Sequence, residues 1–152
     1  MSQDKKKTIT SDDILGKEAV DPEGQILGIV IKLHISKEEK TLTGITIDQG
    51  FMKPDLFIGT DHIKNFGIDT IFLSSVPYDK LKGMKVISSD GEIIGNVEGH
   101  AQKSQKLQEL RIKFKKDGLF KKPISIKVSE IKQIGDSVIM KPNFKIPEQV
   151  KE

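Results

Sequence analysis

Apolar positions along this chain come in short runs, each closed by a turn signal about ten residues later. Ile29-Val30-Ile31-Lys32-Leu33-His34-Ile35 alternates after an apolar start, and Leu42, Ile45 and Ile47 continue the pattern. A period of two marks half-buried strands rather than helices. Pro22-Glu23-Gly24 and Ser89-Asp90-Gly91 sit between apolar runs, with glycine placed to supply positive φ. Gln102 to Glu109 is the one helix-like stretch, and its polarity reads better as a loop entering a strand.

The runs occur twice. Gly16, Gly24 and Gly28 return as Gly83, Gly91 and Gly95, each moved by 67 positions, and residues 15–30 align throughout with 82–97. Lys53-Pro54 answers Lys122-Pro123, Ile63-Lys64 answers Ile131-Lys132, and Asp69 to Leu73 answers Asp136 to Met140. Fixed-period self-similarity of this kind signals duplication. Short strands with regular turns then predict an all-β chain of two tandem small barrels, at 12–75 and 79–141, with short polar tails at 1–11 and 142–152. Gly28 and Gly95 fall inside strand patterns, which predicts a bulge or barrel corner at positive φ. Gly16, Gly24, Gly83 and Gly91 are the remaining turn or corner glycines.

This pattern resembles the PRC-barrel, a family named for the cytoplasmic domain of the photosynthetic reaction-centre H subunit. The residues carrying the resemblance are Gly16, Asp21, Gly24, Gly28 and Val30, then Gly83, Asp90, Gly91, Gly95 and Val97. Pro123 to Met140 fits the end of the family pattern well, and Pro54 to Ile58 fits it less tightly. The resemblance implies a protein-docking unit. Stand-alone tandem members imply an archaeal adaptor of FtsZ-based cell division, working with the membrane anchor SepF, another cell-division protein or a PRC-barrel paralogue. A ribosome-maturation factor in the same family implies the alternative, an RNA- or ribosome-associated assembly factor using the basic second repeat.

Charge sharpens this picture. Residues 1–76 hold 9 Lys against 12 acids, whereas residues 77–152 hold 15 Lys and one Arg against 10. Opposite net charges on two copies of one fold suggest head-to-tail self-association weakened by salt. Arg111 is the one arginine, and guanidinium is the preferred group for bidentate phosphate and base contacts, so nucleic acid is the less favoured partner. The chain has no cysteine, no apolar run long enough for a membrane span and no apolar signal core after its polar start. These features predict a cytoplasmic protein, placed at the division site if the resemblance extends to function.

Candidate chemistry is sparse. His34, His62 and His100 stand at unrelated spacings, with no carboxylate at a dyad or metal-ligand offset, and read as surface or strand-end residues. No nucleophile motif or phosphate loop is present, so catalytic, cofactor and metal sites are all expected to be absent. Two loops stand out as partner-binding candidates. Lys113 to Pro123, with Lys115, Lys116, Phe120, Lys121 and Lys122, reads either as an anion-binding patch or as a hairpin turning at Asp117-Gly118. Phe51 and Met52 read either as an anchor for a partner protein or as a plug at the barrel end.

Overall fold

The computed structural model describes residues 7–116, 119–120 and 122–147, and these are almost entirely strand and turn. Among them the only helical pieces are 3-10 turns of three or four residues. The chain divides between Pro77 and Tyr78 into two compact units, the short stretch Phe51–Pro54 counting with the second.

In the first unit β1 (Glu18–Val20), β2 (Ile26–Ser36), β3 (Thr41–Asp48), β4 (Asp55–Gly59), β5 (Ile63–Phe66) and β6 (Thr70–Leu73) pair in the order β4-β3-β2-β1-β6-β5. The 3-10 turn Thr60–His62 joins the two ends of this path. All pairs are antiparallel except β1 with β6. The interior is filled by Ala19, Val30, Ile45, Ile47, Leu56, Ile58, Ile71 and Leu73, all but removed from solvent. A small barrel closed around branched aliphatic side chains needs no other filling.

The second unit repeats this design with β7 (Lys85–Ile87), β8 (Ile93–Lys103), β9 (Lys106–Lys116), β11 (Ile124–Lys127), β12 (Ile131–Ile134) and β13 (Val138–Met140). A two-residue strand β10 (Leu119–Phe120) also pairs with the end of β9. Duplication is visible in the register itself. Glu18↔Ile29, Ala19↔Gly28 and Val20↔Ile26 become Lys85↔Asn96, Val86↔Gly95 and Ile87↔Ile93, each partner moved by 67 residues. The bulges recur too, between Val30 and Lys32 and again between Val97 and Gly99. The stretch from Gln102 to Glu109 is a hairpin: β8 ends at Lys103, Ser104 turns at φ 58°, and β9 begins at Lys106.

The turn glycines act locally. Gly24 has φ 85° and donates its N–H to the Asp21 carbonyl at 2.9 Å, and Gly91 with φ 93° donates to Ser88 in the same way. Buried Asp21 organises the first turn further, its Oδ1 accepting the N–H groups of Glu23 and Gln25 at 2.9 and 2.8 Å. In the second turn that role falls to Ser88, whose Oγ accepts from Glu92 at 3.1 Å, and not to Asp90. Leaving two backbone N–H donors without their side-chain acceptor in a buried setting costs about 1–3 kcal/mol. Asp21→Ala is therefore expected to lower the urea midpoint clearly, and Ser88→Ala, which removes one longer bond, to lower it less.

Gly28 and Gly95 correct the expectation of a positive-φ corner. Positive φ occurs at Gly16, Gly24, Gly50, Gly83 and Gly91 among the described glycines. What Gly28 and Gly95 supply is clearance: a Cβ on Gly28 would stand 2.4 Å from the Asp48 carbonyl oxygen, and one on Gly95 2.5 Å from that of Lys113. The adjacent strand crosses too closely for any side chain.

Within the expected polar tail at 142–152, the described residues 142–147 pack on the second unit. Phe144 stacks on buried Phe114 with ring centroids 5.9 Å apart, and Pro142, Phe144 and Ile146 line a concavity with Ser88, Ile94 and Met140.

Candidate functional site

The loop from Gln49 to Pro54 is the most conspicuous surface feature, and its backbone explains why. Asp48 Oδ1 accepts the Gly50 N–H at 2.8 Å, Gly50 takes φ 106°, and Met52 takes the left-handed φ 65°. A non-glycine residue in that region is uncommon, and for a long side chain it stores strain. The result holds Phe51 out of the protein with 91% of its surface exposed and leaves Met52 half exposed, while Pro54 is buried. Phe51 therefore does not plug the barrel end.

The lysine-rich hairpin is divided by the pleat. Phe114 points inward and is fully buried, so it offers no stacking surface, whereas Lys115 and Lys122 are exposed. β10 pairs with β9 through Leu119↔Lys116 and Phe120↔Lys115. The side chains of Lys116 and Phe120, all of Lys121 and the Asp117-Gly118 turn lie outside the described residues.

The histidines have individual structural ties. His34 Nε2 meets Thr46 Oγ1 at 2.7 Å, and its ring lies edge-on to Phe57. Phe57 in turn lies over Gly44, where a Cβ would come within 2.5 Å of the ring. Together these contacts bury the outward positions Gly44 and Thr46, giving β3 four successive buried residues instead of an alternation. His100 Nε2 meets Gln102 Oε1 at 2.7 Å.

His62 is the arrangement that spacing hid. Its Nδ1 lies 2.7 Å from Ser75 Oγ, thirteen residues on, and its buried Nε2 lies 3.8 Å from Asp61 Oδ1. The carboxylate is too distant for the hydrogen bond that orients a catalytic imidazole. The surrounding backbone gives the position its purpose: Ser74 N–H donates to the His62 carbonyl at 2.8 Å. In the second unit Lys141 N–H donates to the Glu130 carbonyl at 3.0 Å. The staple is a property of the fold, and the imidazole is an addition to it. No group of three metal-ligating side chains occurs among the described residues.

Exposed apolar side chains are unevenly distributed. Leu15, Ile26, Ile29, Ile31, Ile35, Phe51, Met52, Ile68 and Phe72 all precede residue 77, and Ile93 alone follows it among the described residues. Beside Phe72 a concavity of about 430 Å³ is lined by Val20, Asp21, Lys64, Leu73 and Ser74. No helix among the described residues is long and apolar enough to cross a membrane. No curated protein matches the chain. A family model does match, and it places a PRC-barrel domain at residues 73–145.

Proposed function

We propose that this chain is a non-enzymatic docking adaptor that holds protein partners on a pair of PRC-type barrels, the first barrel being a second copy of the domain at 73–145. The observation that carries this reading is Phe51, held 91% exposed on a loop with two left-handed residues. An aromatic side chain kept in water at a conformational cost is what a binding anchor requires, because Phe and Met supply large contact area once covered. The setting suggested by the resemblance is archaeal FtsZ-based cell division, with SepF as the membrane-anchored partner.

Isothermal titration of the purified chain with purified SepF from the same host tests this. Binding is expected, with F51A weakening it about 10-fold or more while leaving the melting temperature unchanged. No binding by the wild-type chain removes the division assignment. Salt-sensitive co-sedimentation with ribosomal subunits in its place would support the assembly-factor alternative.

A further inference from the structure

The two repeats provide an internal control for what the fold itself requires. On the outer face of β2, Ile26, Ile29 and Ile31 remain 40–51% exposed. Moved by 67, the same positions in β8 hold Ile93, Asn96 and Glu98. The second unit forms the same pairing with polar residues at two of the three places, so folding does not demand isoleucine there. Something outside the unit does.

Charge around the stripe identifies the occupant. Ile29 lies in register with Glu18 on β1 and Asp48 on β3, so two exposed carboxylates flank it across the sheet. The bulge after Val30 makes Ile31 and Lys32 both face outward. Two such strands laid antiparallel, with the two-fold axis midway between Val30 and Ile31, set Ile29 against Lys32. Each Lys32 then enters the space between Glu18 and Asp48 of the other copy, and symmetry makes the contact twice. Like-charged acids that would repel each other in another arrangement are here neutralised by the opposing lysine.

We propose that the outer face of β2 is an isologous dimer interface, its occupant the same face of a second copy of this chain. Such an interface pairs one patch with itself and closes at two. Face-to-face sheet packing suits a stripe on a central strand, which has no free backbone edge to offer. This goes beyond the docking reading and does not depend on it, since Phe51 lies on a different loop.

Sedimentation equilibrium of the full chain up to about 100 μM, a range that includes weak standard-size interfaces, is the test. The wild type is expected at twice the monomer mass, with no larger species. The double variant I29N/I31E carries the residues that the second unit already accommodates. It is expected to stay folded by circular dichroism and to dimerise at least about 100-fold more weakly. K32E keeps every isoleucine and is expected to weaken the dimer about 10-fold or more, with E18K restoring part of the loss. A monomeric wild type, or a dimer indifferent to both variants, overturns the proposal. So does an open series of higher species dispersed by salt, which would instead indicate head-to-tail contact between unlike units.

Discussion

Gly28→Val and Gly95→Val are each expected to lower stability by about 3 kcal/mol or more, among the largest effects available to single substitutions in this chain. The cause is backbone contact. The first atom of any side chain on Gly28 meets the Asp48 carbonyl oxygen at 2.4 Å, and the one on Gly95 meets that of Lys113 at 2.5 Å. Neither oxygen belongs to a flexible group that can swing aside. Both belong to strands paired with the glycine's own strand, so relief requires the sheet to open. Gly24→Ala provides the contrast, because its Cβ would meet nothing within 4 Å and the strain lies only in φ 85°. That substitution should cost about 1 kcal/mol. Urea midpoints of the three variants check the ordering. Equal, small shifts at Gly28 and Gly24 would show that the strands separate easily and that close approach is not what selects glycine.

Phe114→Ala is expected to cost about 3–5 kcal/mol, the range for deleting a large buried aromatic. Phe114 is fully buried on β9, opposite Gly95, and is the largest of the wholly enclosed side chains. Its ring also carries the stack with Phe144, so the truncation removes the main apolar support of the segment after β13. Loss of hydrogen-exchange protection at the Phe144 N–H, which donates to the Lys141 carbonyl at 3.1 Å, should accompany the loss of stability. Phe144→Ala should release the same segment at lower cost, since the interior of the barrel stays filled. If Phe114→Ala leaves the Phe144 amide protected, the segment is held by contacts other than the aromatic pair.

The duplication, the turns and the inward-facing residues could be read from the chain because each depends on near neighbours. Gly24 and Gly91 were legible as turn glycines since a tight reversal needs positive φ within four residues. Ile45 and Ile47 were legible as one side of a half-buried strand from their alternation alone. The Asp21–Ser88 equivalence also follows from the constant shift of 67, although only the hydrogen bonds show what the two side chains accept. Gly28 and Gly95 do sit beside a bulge, as their place in the strand patterns indicated, but positive φ is not what selects glycine there. A bulge is inferred from local sequence, but the distance of closest approach to Asp48 or Lys113 is set by how strands twenty residues apart cross. Burial of Thr46 under His34, the Ser75–His62 contact and the Phe114–Phe144 stack were hidden for the same cause, because each joins residues that no periodicity relates. Exposure was the other unknown. Phe51 as anchor and Phe51 as plug are the same letters, and the left-handed backbone at Gly50 and Met52 decides between them. The outward isoleucines of β2 likewise read as ordinary strand residues until the pleat and the bulge after Val30 turn them to one face. A strand's alternation states that two faces differ, and only the closed barrel determines which of them water reaches.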